Sequence, residues 1–226
     1  MKTSTIFLFS VLFLFVSSCN NSGGTKDNGD NTNSSENSDQ TGYKYDLKSA
    51  IVTSKTNMAM AGGDITTILY FDDHGEKYAT ENISKMSMMG QTMETHSKTI
   101  MKDGYIYTWN VGEKTGNKMK LDMMKNGENF DFKKMSKEMM DQMKIKKTGT
   151  DNVQGKKCDV YEMNDESMTG KYYIWDNITM KSETSISGMN VTTEVTELKE
   201  NASIPASTFE VPADVAFTEM SMPAKQ

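Results

Sequence analysis

The feature that most limits what this chain can become is a two-residue alternation: in Met189-Asn190-Val191-Thr192-Thr193-Glu194-Val195-Thr196-Glu197-Leu198 the apolar letters fall mostly at every second position. Neighbouring side chains of a strand leave opposite faces, so this pattern predicts an antiparallel sheet with one buried face and one wet face. Other stretches read the same way. Tyr45 to Met60 alternates loosely, and Ile65 to Phe71 is a strand closed by the turn residues Asp72-Asp73-His74-Gly75. Lys77 to Met88 returns, Met89-Gly90-Gln91 turns, Thr92 to Met101 and Tyr105 to Trp109 follow, with Lys102-Asp103-Gly104 between them. Later come Cys158 to Met163, Gly170 to Trp175 and Ile178 to Ile186, connected through Asp176-Asn177 and Ser187-Gly188. A meander is the simplest topology.

One segment breaks the period. From about Phe130 to Lys144, Phe132, Met135, Met139, Met140 and Met143 recur at steps of three and four, the spacing of an amphipathic helix. Lys133, Lys134, Lys137, Glu138, Asp141 and Lys144 take the other face. The helix is expected to lie across the sheet, its apolar stripe facing inward.

The N-terminus sets the compartment. Lys2, the apolar run Ile6 to Val16, and Ser17-Ser18 before Cys19 form a signal-peptide layout. That run is far short of the roughly 20 residues a membrane-spanning helix needs. Val16-Ser17-Ser18-Cys19 resembles the lipobox of bacterial lipoproteins, which implies cleavage after residue 18 and acylation of Cys19. Two or more acyl chains hold a protein stably at a membrane surface. Residues 19–42, rich in Asn, Ser, Gly and Asp, bury nothing and read as a disordered tether with a reach of about 25 Å. The folded domain is then residues 43–226.

Composition narrows the function. The chain has a net charge of -6, and its 25 basic residues are all Lys. Without the planar guanidinium fork, recognition of phosphates and base edges loses its best donor, so no nucleic-acid partner is expected. Once Cys19 carries lipid, Cys158 is the remaining thiol and no internal disulfide is available. His74 falls in a turn and His96 in a strand, neither beside a nucleophile motif, so the chain reads as a non-enzyme without cofactor.

The 21 methionines call for an explanation. Met fills cores, lines adaptable hydrophobic sites, and in clusters holds Cu(I). A copper cluster would draw on Met86, Met88, Met89, Met93 and His96, with Met58 and Met60 adjacent; the spacing alone assigns no metal.

Three stretches carry a family resemblance: Gly155-Lys156-Lys157-Cys158-Asp159-Val160-Tyr161, Gly170-Lys171-Tyr172-Tyr173-Ile174-Trp175-Asp176, and Asn201 through Phe209 to Pro212. With the strands and the central helix they resemble the DUF4412 domain family, similar in layout to the LolA and LolB lipoprotein carriers. The resemblance implies a mainly β (α+β) open half-barrel, a strongly curved antiparallel sheet with one amphipathic helix across its concave face. It also implies an apolar interior able to hold an acyl chain. The carriers fasten their lid with an arginine, this chain has none, and no functional residue carries over.

The expectation is therefore an exported lipoprotein, anchored through Cys19 to the outer membrane on its periplasmic or surface side. Its partner would be a lipid or other hydrophobic small molecule against Phe132, Met135, Met139, Met140 and Met143. The rival readings are an envelope protein that binds no ligand and a periplasmic copper-handling protein. The sequence sets no oligomeric state.

Overall fold

A computed structural model describes residues 44–58, 63–88, 91–121, 137–165 and 168–220. It contains β1 (Ala50–Met58), β2 (Gly63–Asp72), β3 (Lys77–Met88), β4 (Gln91–Lys102), β5 (Tyr105–Asn110), β6 (Thr115–Lys120), β7 (Ile145–Val153), β8 (Lys156–Asn164), β9 (Met168–Trp175), β10 (Ile178–Ile186), β11 (Met189–Glu200) and β12 (Ala216–Glu219). One helix, α1 (Lys137–Gln142), precedes β7.

All twelve strands join one open, strongly curved sheet in the order β12-β6-β5-β4-β3-β2-β1-β11-β10-β9-β8-β7. Two meanders build it, β1 to β6 and β7 to β11, fused where β1 pairs antiparallel with β11. Every pairing is antiparallel except that of the short β12, which runs parallel to β6 and departs from the expected pattern. It does so because the chain comes back from β11 and meets the far edge after crossing the sheet, with no hairpin to reverse it.

Turn chemistry fixes the hairpin registers. Asp103-Gly104, Gln154-Gly155, Asp176-Asn177 and Ser187-Gly188 hold positive φ at both positions, the conformation whose twist matches paired strands. The Asp176-Asn177 turn has a second task. Its Asp176 carboxylate accepts from the amides of Asp46 and Leu47 at 2.6 and 3.0 Å, and Asn177 Nδ2 donates to the Lys44 carbonyl at 3.0 Å. The leading segment is thereby tied to the β9–β10 corner, and Tyr45 stacks on Phe71 with ring centroids 4.0 Å apart.

Three clusters make up the core. The largest joins Tyr45, Ala50, Val52, Phe71 and Val195 to Cys158, Val160, Tyr173, Ile178 and Met180. A second, of Ala79, Ile100 and Trp109, is covered by the C-terminal segment through Phe209, Val211 and Phe217. Phe217 meets Tyr107 and Trp109 edge-on. It lies where a Cβ at Gly116 would stand, 2.7 Å from its ring, so only glycine fits there. The third cluster lies at the β7–β9 end and belongs to the site below.

Candidate functional site: an uncharged sheet face with a methionine rim

Strand register sorts the side chains into two unlike faces. Cross-strand partners share a face, so one face can be followed from β6 to β9. It carries Asn117 and Met119; Ile106, Thr108 and Asn110; Met93, Thr95, Ser97, Thr99 and Met101. It continues through Tyr78, Thr80, Asn82, Ser84 and Met86; Ile65, Thr67, Leu69 and Phe71; Ala50, Val52, Ser54, Thr56 and Met58. Val191, Thr193 and Val195, then Ser182, Thr184 and Ile186, then Met168, Gly170, Tyr172 and Ile174 complete it. Among these described strands the one charged side chain on this face is Glu200 at the base of β11, ion-paired with Lys156. Lys44, from the leading segment, stands 4.6 Å over the Tyr78 ring at the same base. Next to β9, Lys147 and Asp159 pair with each other at 2.7 Å.

The opposite face takes the charges: Lys55, Asp64, Glu81, Lys85, Glu94, Lys98, Lys181, Glu183 and Glu194. The pairs Lys85–Glu94, Lys98–Glu81 and Lys181–Glu183 lie on it. A depression of about 420 Å³ is lined by Lys55, Asn57, Asp64, Thr66, Ile83 and Lys85 from this side together with Met58 and Gly63. Its two lysines stand against Asp64 and, at Lys85, against Glu94 at 3.3 Å, so it presents no concentrated charge.

The uncharged face satisfies its polar groups internally. Thr56 and Thr193 hydroxyls meet at 2.8 Å, Thr67 donates to Asn82 Oδ1 at 2.8 Å, and Thr99 and Thr108 meet at 3.2 Å. Thr80, Asn82, Ser97, Thr99 and Thr108 are half-buried, while the C-terminal segment packs through Phe209 on the other side of β3 and β4, against Ala79 and Ile100. That combination is what the inside of a curved sheet produces. At its base, burial pushes the Tyr78 hydroxyl up to about 12.

One transverse row forms the rim of this face. In sheet order it reads Met93, Met86, Gly63, Met58, Val191, Thr184, Gly170, Met163, Ile145. Beyond it Met189 opposes Ile186, which opposes Met168. Both glycines lie under a neighbour: Met86 Cγ is 3.0 Å from the place of a Cβ at Gly63, and the Tyr172 ring is 2.8 Å from that at Gly170. The row differs from end to end. At the β7–β9 end Ile145, Tyr161, Met163, Met168 and Ile174 are buried, with Met140, Met143 and Tyr172 packed on them. At the other end Met93 is 45% exposed; midway along the sheet, on the neighbouring row, Met189 is 40% exposed.

The residues expected to bind ligand are thus placed unevenly. Phe132 and Met135 lie outside the described residues, as do Cys19 and the first half of the expected helix. Met139 is 49% exposed, while Met140 and Met143 rest on the filled cluster. Helix α1 therefore closes one end of the row by filling it. Sequence reasoning passed over Thr56, Thr67, Thr99 and the other uncharged positions because each Ser, Thr or Asn is unremarkable alone. The signal was the alternation of charge in β3 and β4, where Glu81, Ile83, Lys85 interleave with Thr80, Asn82, Ser84.

The copper cluster changes membership. Met86 and Met93 are direct cross-strand partners, but His96 pairs with Ile83 and so projects from the other face of β4. There it meets Glu81 at 3.0 Å. Burial opposes ionisation of Glu81, yet hydrogen bonds from Lys98 and His96 outweigh it and hold the carboxyl below its usual range. Met60 and Met89 lie outside the described residues, and so does the side chain of Met88. Cys158 is fully buried and its thiol is pushed up by burial. His74 Nδ1 lies 3.1 Å from the Tyr45 carbonyl, within the turn that receives the leading segment.

No family model matches the sequence, and no curated protein matches it. Solved structures do align with it. An uncharacterized conserved protein from Thermus thermophilus aligns over 77% of this chain and 91% of its own, at 8% identity and a TM-score of 0.50. LprF from Mycobacterium bovis aligns over 72% and 90%, at 10% identity and a TM-score of 0.40. The LolA superfamily protein NE2245 from Nitrosomonas europaea aligns over 74% and 92%, at 11% identity and a TM-score of 0.31. At such identities the likeness is one of fold alone.

Proposed function

We propose that this chain is a lipid-anchored, non-enzymatic lipoprotein of the bacterial envelope, of the DUF4412 type, that seats a hydrophobic ligand on the open half of its uncharged face. The observation that carries the reading is the segregation of charge: a broad half-buried face bears no ion along most of its width, and its rim is thioether and aliphatic. Water-facing sheets ordinarily scatter Lys and Glu over their free face. Here those residues are confined to the other side, which leaves a surface suited to acyl chains or similar neutral groups. At one end the chain's own Met140 and Met143 occupy the row; a ligand takes the equivalent place beside Met58, Met86 and Met93.

The anchor completes the reading. Acylated Cys19 fixes the protein to the outer membrane on its periplasmic or surface side, and the segment before Tyr43 gives the domain room to reach a lipid. Replacing Cys19 by serine is expected to release the protein from the membrane fraction; unchanged partitioning would remove the anchor from this account.

Binding is tested by titrating the mature protein with a fluorescent fatty-acyl probe. Saturable, one-site binding that is lost in Ile65→Glu is the expected result. A second reading, an envelope protein that binds other components and no small ligand, draws on the filled packing beneath Met140 and Met143. Failure of the probe to saturate at any concentration below its own micelle point would favour that second reading.

A further inference from the structure

The rim at the open end raises a question that apolarity does not answer. The chain uses 21 methionines and 7 leucines, although leucine makes an equally apolar rim. What methionine adds is a polarizable sulfur that can act as a soft donor.

We propose that Met58, Met86 and Met93 form a three-sulfur site for a monovalent soft metal ion, Cu(I). The three lie in one transverse row on one face, with Gly63 the single position between Met58 and Met86. Direct cross-strand neighbours have Cβ atoms about 5 Å apart, so the Met86 and Met93 sulfurs reach a common point by rotation of their side chains. The gap to Met58 is one strand wider. Gly63 closes it by having no side chain, and Met86 already leans across, its Cγ 3.0 Å from the place a Cβ would take. A larger residue at 63 would wedge the sulfurs apart.

The donor set dictates the ion. Three thioethers are neutral, and Asp64, which lines the same depression as Met58, projects from the opposite face and accepts from Asn57, so the donor set itself supplies nothing to balance a divalent charge. Zn(II) and Cu(II) prefer imidazole, carboxylate or thiolate. His96, Asp64 and Glu94 lie on the opposite face of these strands, and among the described residues no three His, Cys, Asp or Glu side chains converge. Met93, 45% exposed, leaves the site open for exchange with a donor in solution. Coordination displaces no proton and transfers no electron. The three residues also border the proposed acyl seat, and leucine at each would keep that rim apolar while removing the sulfurs.

The experiment titrates the mature protein, labelled at its methionine methyl groups, with Ag(I) as a redox-inert probe and Zn(II) as a control. One equivalent of Ag(I) is expected to shift the Met58, Met86 and Met93 methyls together, and Zn(II) to shift none. The M58L/M86L/M93L variant should bind Ag(I) more weakly by more than about tenfold while keeping its fold. Met139→Leu and Met220→Leu, at exposed positions elsewhere, should bind as the wild type does. If the triple variant fails to fold, Met93→Leu decides alone, since an exposed leucine there leaves packing intact. Wild-type affinity in the variant that decides, shifts centred on other methionines, or equal response to Zn(II) would each overturn the site.

Discussion

The two ends of the rim row share chemistry and differ in what covers them. At the β7–β9 end Ile145 is 2% exposed and Met163 6%, pressed under Met140 and Met143. At the β3–β4 end Met93 stands 45% exposed in the same row. The difference teaches that the composition of a sheet row does not by itself make it core. A methionine becomes structural where its own chain packs on it, and stays available where, among the described residues, none does.

The largest expected effect breaks this comparison directly. Met163→Ala empties a packed position and should cost roughly 2–4 kcal/mol, while Met93→Ala should stay within about 0.5 kcal/mol. Urea unfolding of the two variants measures both. Comparable costs would mean that the open end is as tightly packed as the closed one, and the proposed seat would disappear.

Neighbours in one strand sharpen the contrast between faces. Met86 and Lys85 are adjacent in β3 and project to opposite sides. A carboxylate in place of Met86 puts an unpaired charge on the uncharged face, so Met86→Glu should weaken acyl-probe binding by more than about tenfold, or some 1.4 kcal/mol. Lys85→Glu, among the other face's exposed ions, should leave probe binding nearly unchanged. Equal losses would show that binding follows net charge and not this face.

The glycines of the row offer a finer test. A Cβ at Gly63 would stand 2.6 Å from the Lys85 carbonyl oxygen, which is backbone and cannot step aside without moving β3. Gly63→Ala should therefore destabilise by about 1–2 kcal/mol. At Gly170 the nearest atoms, at 2.8 Å, belong to the Tyr172 ring, a side chain that can rotate, and Gly170→Ala should cost under about 1 kcal/mol. Thermal unfolding ranks the pair; the reverse order would mean that the Tyr172 ring is locked and Gly63 is not.

How much of this was legible follows from which residues carried a local signal. Alternation and turn residues marked β2 to β5 and β8 to β11, because Asp103-Gly104, Asp176-Asn177 and Ser187-Gly188 punctuate them. Strand β7 left no such mark: between Ile145 and Val153 every side chain is exposed, as an edge strand permits. Strand β12 is four residues long and parallel, held by a pairing distant in sequence. Within the site, the Met86–Met93 proximity was readable from a hairpin turn. The exclusion of His96 was not, since one residue of register decides which face a side chain takes. The long row from Met93 to Ile145 was out of reach, because it depends on β1 pairing with β11, across most of the domain.

The smallest effect concerns the charged face alone. Glu81, held by Lys98 and His96, has its carboxyl below the ordinary range in the folded protein. A carboxyl whose folded value is depressed stabilises the fold above its unfolded value, near about 4.3, and loses that contribution as pH falls through the folded value. The wild type should thus lose stability on acidification through this window, and Glu81→Gln, which cannot titrate, should lose less. Thr80→Val, one residue away on the uncharged face, should leave the pH slope as it is in the wild type. A changed slope in Thr80→Val would mean that the two faces are electrostatically coupled through the sheet, and the segregation that makes one of them a seat for neutral ligands would be weaker than the register alone implies.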